Sequence, residues 1–480
     1  LLFLSACNNM MDDMRPHNMT DADSYLSSFN NLVNATSGLY GGLVREPIGY
    51  TDIYSYYGAY HVLGEFRANN LIFAEAFPTA YGSAANDYLR CPDAHFFLNS
   101  DQKNQSYAYP LWANTLRLIL TASRNIIAID ELQNTTLNPE EKANLSRLKG
   151  ENAFIRGLLI FNATNVFGRP YWETPSENLG IPLDINATGE DLQRSTVQQC
   201  YEQVIADFKT AASCLPDELS NRTFANKAAA YGLLSRIYLY MGGVPESPDP
   251  TYNQLAVDYA DSTFLLKNDL VELAQGENLA YLYEDLNSKP NQEILFELNL
   301  SNFPTDLSNV IHNFYSWNGY ESYASTSVYC CVVSTDYEEI MDKDKDLRWK
   351  YFTELSERFP GRFCTTKYNG GKKYLFDDYC YFICPTVFLR AAEVILNRAE
   401  AYCKLGEPGK ALKDLNTIRE RAGLEPLSGI SRDALFQEIF NERRRELAFE
   451  AQTYYDYMRN GMTMKRKETS TVYSQYTGSQ

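Results

Sequence analysis

Phe314, Tyr315, Trp317, Tyr320 and Tyr323 fall within ten residues, interleaved with Asn313, Asn318, Gly319 and Glu321. The apolar C–H faces of a sugar stack on aromatic rings, and its hydroxyls need amide and carboxylate partners. This stretch carries both halves of such a surface. It shows no helical period, which places it in a loop, where binding residues concentrate. Trp317, Tyr320, Tyr315, Asn318 and Tyr323 are therefore the first ligand-binding candidates. The alternative is that some of these rings pack the loop onto a scaffold. A second candidate loop, Phe77 to Asn99, contributes Tyr81, Asn86 and His95, with Asp87 and Tyr88 between them. The tyrosines at 50, 54, 56, 57 and 60 read instead as an early helix packed on the core.

Catalytic chemistry has no comparable footing. There is no Gly-rich phosphate loop, no zinc-protease helix and no Gly-x-Ser-x-Gly elbow. The four histidines (His17, His61, His95, His312) are scattered. Carboxylates are plentiful, but no motif singles out a pair for glycoside cleavage. No catalytic residue, metal ligand or cofactor is assigned. Asp342, Asp344 and Asp346 alternate with lysines at a spacing similar to a calcium loop. They lack its turn glycine and terminal glutamate and read as a solvated charged loop. The charged run Glu442 to Glu450 reads as a structural ion-pair network. In it Glu442 pairs with Arg445 and Arg443 with Glu446, three residues apart, while Glu393, Arg398 and Arg419 reach in from neighbouring helices.

Cys7 carries chemistry of another kind. Leu1-Leu2-Phe3-Leu4-Ser5-Ala6-Cys7 reads as the end of a signal peptide, an apolar run and two small residues before a cysteine. The thiol takes a diacylglyceryl group, and cleavage leaves Cys7 as the acylated N-terminus. Two or more acyl chains anchor stably, at roughly 0.8 kcal/mol per buried methylene. Asn8 to Asp23 is polar and without apolar period, so it reads as a flexible tether. No later stretch reaches the ~18 apolar residues of a membrane-spanning helix. The expected body lies outside the bilayer, held by its lipid alone.

The chain has 480 residues, 45% of them hydrophobic, enough for a large core. A net charge of −18 argues against nucleic acid and against anionic lipid as partners. Tyrosine occurs 36 times, well beyond what a helical core needs, and suits surfaces that recognise polar ligands with apolar faces. Ten cysteines are present, without zinc spacing. Cys200, Cys214 and Cys403 sit in helical patterns as small apolar residues, and no disulfide is assigned.

Helices must position these loops. Apolar spacing predicts helices over Leu111–Leu132, from Pro139 to about Phe167, after a Ser195 cap to Pro216, over Ala225–Met241 and over Tyr252–Leu266. Near the C-terminus, helical spacing runs from Phe388 to Cys403, then from Pro408 to Ala422, then from a Ser431 cap to Leu447. Glu293 to Leu298 reads as a short strand. Antiparallel helix pairs with Ala and Tyr at their crossings are similar to tetratricopeptide repeats. Four units emerge: 110–168, 195–241, 252–266 with an unplaced partner, and 388–422. Residues 299–373, rich in Ser, Asn, Asp, Gly and aromatics, interrupt the series, and insertions of this length are usually functional.

Several motifs carry a resemblance. These are Leu389-Arg390-Ala391-Ala392-Glu393, Asn397-Arg398-Ala399-Glu400-Ala401-Tyr402, Ala411 to Arg419 with Arg421-Ala422-Gly423-Leu424, and Glu442-Arg443-Arg444-Arg445-Glu446-Leu447-Ala448-Phe449-Glu450 with Asp456, Arg459 and Gly461. Earlier segments agree: Arg156-Gly157 to Tyr171, Lys227-Ala228 to Leu239, Asp346-Leu347-Arg348 and Lys367-Tyr368. Together, in this order, they resemble the SusD/RagB family of Bacteroidetes outer-membrane lipoproteins. One departure is Ala451-Gln452, where the family usually has a glycine.

The resemblance implies an all-α fold with a tetratricopeptide-like scaffold, little β structure and an irregular, loop-rich ligand face. It implies a lipid-anchored protein on the cell surface of the outer membrane that captures a nutrient and delivers it to a SusC-like TonB-dependent barrel. The ligand is an oligosaccharide, or a peptide as in the RagB branch. A repeat scaffold without small ligand is the remaining alternative. No enzymatic activity is implied. The expected division is residual signal peptide and lipobox (1–7), tether (8–23), an N-terminal part (24–290) and a C-terminal part (291–480) that includes the ligand-face insertion 299–373.

Overall fold

Seven of the helices begin where a side chain accepts from one of their first free N–H groups. Residues 22–44, 56–73, 108–135, 137–189, 192–217, 221–266, 271–283, 292–298, 331–356, 359–368, 373–376, 379–382 and 386–468 are described by the structure, a computed structural model. The N-terminal region forms α1 (Ala22–Leu26), α2 (Phe29–Val44) and α3 (Tyr56–His61). The last continues into one π-helical turn (Val62–Phe66) and β1 (Leu71–Phe73). A helical stack follows: α4 (Ala108–Gln133), α5 (Pro139–Phe167), α6 (Val197–Cys214) and α7 (Lys227–Met241). The small hairpin β2 (Gly243–Val244) and β3 (Ser247–Pro248) then leads to α8 (Pro250–Leu265).

The insertion after α8 holds a 3₁₀ turn (Gly276–Tyr281), β4 (Ile294–Leu298), β5 (Cys331–Val333), α9 (Thr335–Glu338) and α10 (Leu347–Phe352). It continues with β6 (Thr353–Leu355), β7 (Phe363–Thr365), β8 (Lys373–Phe376), β9 (Tyr379–Phe382) and β10 (Thr386–Arg390). The chain then resumes the stack with α11 (Ala391–Lys404), α12 (Pro408–Arg421), α13 (Arg432–Leu447) and α14 (Thr453–Arg459). The strands pair only as two-stranded antiparallel sheets among the described residues. The scaffold is all-α, as expected.

These caps account for half of the fourteen helix starts among the described residues. Asn138 accepts from the Glu141 N–H at 2.9 Å while the Glu141 side chain accepts from the Asn138 N–H, and Pro139 takes the first helical position. Asp249 caps α8 with Pro250 behind it, and Asn226 caps α7. The cap of α6 is Thr196, with Gln199 closing a capping box, not Ser195 as the spacing suggests. Ser195 is committed elsewhere: its N–H and C=O bond Ile181 and Gly180. A larger correction concerns Phe388. Residues 386–390 form β10 on β4, and the helix starts only at Ala391, because Val387, Phe388 and Leu389 are buried as consecutive strand residues.

Each helix of the stack packs on the next from α4 to α8, and α8 packs on α11 across the whole insertion. That contact supplies the partner the sequence does not place. Close approach rests on small residues. A Cβ at Gly157 of α5 would come within 3.0 Å of the Phe208 ring on α6. Aromatic rings then carry the core sideways. Phe154 packs edge-on against Phe208 at 5.3 Å and Phe296 at 4.9 Å, Phe296 lies 5.4 Å from Phe388, and Phe388 lies 4.6 Å from Tyr57. Each fully buried ring contributes roughly 1.5–3 kcal/mol. Tyr56, Tyr57 and Tyr60 of α3 are buried, as the early-helix reading expects.

The turn after α13 is strained. Phe449 (φ 68°) and Ala451 (φ 60°) both adopt the left-handed conformation, at about 1–2 kcal/mol per residue. The turn expected at a glycine is thus kept with an alanine. Two features hold it. The Glu65 carboxylate accepts from the Ala451 N–H at 3.0 Å, and Gly64 leaves room, since a Cβ there would sit 2.6 Å from the Ala451 carbonyl oxygen.

Candidate functional site

Cys7, Tyr81, Asn86, His95, Tyr315, Trp317, Asn318, Tyr320 and Tyr323 lie outside the described residues. The structure does describe where their segments are rooted. β1 ends at Phe73, just before the segment carrying Tyr81, Asn86 and His95; β5 begins at Cys331, just after the one carrying Trp317 and Tyr320. These strands pair antiparallel, Phe73 with Cys331 and Leu71 with Val333. The two candidate segments therefore meet the scaffold side by side.

The root is firmly fixed. The Ser334 N–H donates to the Asn70 carbonyl at 2.9 Å and Ser334 Oγ to the Asn69 carbonyl at 2.6 Å. Ile72, Val332, Phe359 and Cys364 form a small apolar cluster beneath it. Arg362 ties the root to the C-terminal segment, donating to the Val333 carbonyl at 2.9 Å and pairing with Glu468 at 3.0 Å. The other end of the long segment leaves from Leu298 on β4, opposite Thr386.

Beneath this region lies a buried ion cluster centred on α13. Arg390, fully buried, donates to Glu293 at 2.8 Å, to Glu450 at 2.9 and 3.0 Å, and to Glu446. Arg421 bridges Glu293 at 3.0 Å and Glu446. Arg348 reaches Glu442 at 2.8 Å, Glu446 at 2.9 Å and Asp346 at 2.7 Å. Lys367 pairs with Glu450 at 2.7 Å and donates to the carbonyls of Glu446 and Ala448.

The cluster fixes protonation states. Burial raises the pKa of Glu450, but Arg390 and Lys367 overcome it and hold the carboxyl at about 2. Burial likewise works against Glu446, and Arg421, Arg390 and Arg348 hold it well below the carboxylate range. Two neighbouring groups move the other way. Burial pushes Glu65 up to about 7 despite its hydrogen bonds, and drives His61 down to about 3, so that its imidazole stays neutral.

The expected network exists with different wiring. Glu442 pairs with Arg445 at 2.6 Å and, more loosely, with Arg419 at 3.6 Å. Arg443 turns from Glu446 to Asp456 at 3.1 Å and Asn397 at 2.7 Å, because Glu446 is occupied by three other arginines. Glu393 is held by Arg236 at 2.5 Å, and Arg398 by Asp414 at 2.8 Å and Asp261 at 2.7 Å. Of the three alternating aspartates, Asp342 and Asp344 are exposed, but Asp346 is buried, because it caps α10 and neutralises Arg348. Among the described residues no His/Cys/Asp/Glu group is placed to hold a metal ion. Cys200 and Cys403 are buried free thiols, and Cys214 is a half-buried one.

Residues 364–480 match the SusD family, and residues 78–239 match a family described as starch-binding and associating with the outer membrane. Over residues 364–480 this chain is SusD-like. A SusD-like protein P2 of Formosa agariphila is 24% identical over 384 residues, covering 72% of this chain and 70% of that one. Among solved structures, a SusD superfamily protein from Bacteroides thetaiotaomicron superposes with a TM-score of 0.75 at 24% identity, covering 92% of this chain and 90% of the other. A SusD superfamily protein from Bacteroides vulgatus gives 0.74 at 26%, with 92% and 90% covered, and a putative sugar binding protein from the same species gives 0.71 at 23%, with 92% and 88% covered. Among the described residues no helix of this SusD-like chain is long and apolar enough to cross a membrane.

The acceptors and donors that matter most here, Glu293, Arg348, Lys367, Arg390 and Arg421, come from five different segments, and spacing along one helix does not reveal them. The available signal is the density of charge in Glu442–Glu450, which leaves no apolar face to turn inward. Replacing Arg390 by Met leaves Glu293, Glu446 and Glu450 each short of a partner in the interior. Arg390→Met is expected to cost about 3–5 kcal/mol, measured by denaturant unfolding; an unchanged midpoint would refute the role of the cluster.

Acid should act through the same groups. The folded pKa of Glu450, about 2, lies below its unfolded value of about 4.3, so its contribution is present above pH ~4.3 and lost as pH falls toward 2. His61 also favours the fold at higher pH, between about 3 and 6.5, while Glu65 opposes it between about 4.3 and 7. The two offset each other above pH ~4.3, so the steep loss is expected below it. Equal melting temperatures at about pH 3 and pH 6 would contradict this assignment.

Proposed function

We propose that this protein is a lipid-anchored surface protein that captures an oligosaccharide and delivers it to a TonB-dependent outer-membrane barrel of the SusC type. The observation that carries the reading is the pairing of Phe73 with Cys331. It roots the segment holding Tyr81, Asn86 and His95 beside the one holding Trp317 and Tyr320, which favours one shared ligand face. The family description names starch, and one similar structure is a putative sugar binding protein. Both favour glycan over peptide, as do stacked rings beside amides. Cys7 is read as the lipid anchor.

The chemistry is binding without turnover. The buried carboxylates Glu293, Glu442, Glu446 and Glu450 are spent on guanidinium and ammonium partners, so they are not available as acid–base pairs. Incubation with α-glucans is expected to yield no new reducing ends; turnover abolished by substituting one carboxylate would overturn this.

Trp317→Ala and Tyr320→Ala are each expected to weaken oligosaccharide binding by on the order of 2 kcal/mol, about thirty-fold, in calorimetry over a panel of soluble α-glucans and other glycans. Thermal melts should match the wild type. Unchanged affinity in both would move the site to the segment 77–99, and peptide binding without glycan binding would favour a peptide importer. Cys7→Ala is expected to release a folded protein from the membrane fraction in cells lacking the partner barrel. Retention there would refute the anchor.

A further inference from the structure

Glu446 and Glu450 are held by cations, whereas Glu65, fully buried, forms no ion pair among the described residues. Its oxygens accept instead from Asn70 Nδ2 and from the Ala451 N–H, each at 3.0 Å. Asn70 Nδ2 also donates to Thr453 Oγ1 at 2.9 Å, and Asn70 Oδ1 accepts from Arg444 at 3.2 Å. The Asn70 carbonyl takes the Ser334 N–H at 2.9 Å. One carboxyl thus ties the π-helical turn to the left-handed turn after α13. Through Asn70 it also reaches α13, α14 and the root where β1 pairs with β5.

The charged and titratable groups around Glu65 do not neutralise it. Lys367 acts on it through space and is committed to Glu450. Arg444 of α13 reaches it only across the Asn70 amide. Tyr57 of α3 and Tyr455 of α14 are phenols kept neutral by burial. His61 is neutral and Glu450 ionised between pH ~5 and ~8. A buried carboxyl without a paired cation favours its neutral form.

We propose that Glu65 is a pH-sensitive latch: with its carboxyl neutral it holds the π-helical turn and β1 onto the turn 449–451, and its ionisation favours their release. The turn itself stays in place, tied by Tyr368 Oη to the Phe449 carbonyl at 2.7 Å and by Lys367 to the Ala448 carbonyl at 2.8 Å. His61 stays packed between Tyr57 and Tyr368, its ring centroid 6.0 Å from each. Opening puts Glu65 in water, where its carboxyl ionises at about 4.3. In the closed latch it keeps its proton up to about 7. Opening between those values releases one proton. The open fraction therefore rises with pH, by about tenfold per unit, and levels off above ~7. The root of the candidate loops is firmest in mild acid and loosens toward neutrality.

Hydrogen exchange of the full chain between pH ~5 and ~8, corrected for intrinsic rates, reads the opening at the Ala451 and Ser334 N–H groups. The opening constant is expected to climb about tenfold per unit up to pH ~7 and then flatten, and Glu65→Gln should abolish the slope. A flat profile in the wild type, or a slope retained in the variant, would overturn the latch. So would a falling profile, which marks the exposure of His61, since that imidazole takes up a proton on opening. A second reading needs no variant. The infrared band of neutral carboxyl groups in the wild type should weaken between pH ~6 and ~8 as Glu65 ionises. A band unchanged over that interval would sink the proposal.

Discussion

Glu446 and its three arginines set the terms for the rest of the molecule. A carboxylate in the protein interior is very costly unless charge and hydrogen bonds replace the water it gives up. Glu446 is 2% exposed and meets Arg348, Arg390 and Arg421, which arrive from α10, the end of β10 and the end of α12. Every one of those segments must reach its place for α13 to be buried at all. The cluster is thus less a source of net stability than a condition on geometry. It accepts one arrangement of the insertion against the scaffold, because any other strands a charge.

The same logic repeats at smaller scale. Arg459 holds Glu400 and Asp456, and Lys404 joins Glu400 at 3.0 Å while donating to the Gly243 carbonyl. Arg236 pairs with Glu393 and also donates to the Phe388 carbonyl at 2.7 Å, so one guanidinium orients both the strand β10 and the helix after it. Arg156 and Asp207 join α5 to α6 at 2.7 Å. Helix packing in this stack is supplied by apolar surface, and its register is specified by these bidentate pairs.

Local chemistry was legible in the sequence, and remote pairing was not. Capping residues and prolines mark α5, α12 and α13 almost to the residue, because caps act within a few positions of the N–H groups they satisfy. Phe388 reads as the start of a helix because it stands in register with the apolar stripe at Ala392, Ile395 and Ala399, and only β4, far away in sequence, decides for a strand. The wiring of α13 failed for a related reason. Glu442 and Arg445 lie on one helix and pair, whereas the partners of Glu446 lie on three other segments. At the candidate ligand face, composition alone picked out Trp317 and Tyr320. Nothing in composition could show that their segment is rooted beside the one at 77–99, since strands as short as β1 and β5 carry no period.

The contact between Glu65 and Ala451 spans nearly the whole chain, and it bears on the order in which the molecule is made. Closing so long a loop gains nothing until both ends exist, and contacts of this separation slow folding. α4 to α8 can stack as they emerge, since each meets its neighbour in sequence. The π-helical turn, β1 and the root it forms with β5 stay without their C-terminal support until α13 and the left-handed turn after it have been synthesised. The edge that holds the candidate loops is therefore the part of the molecule completed last.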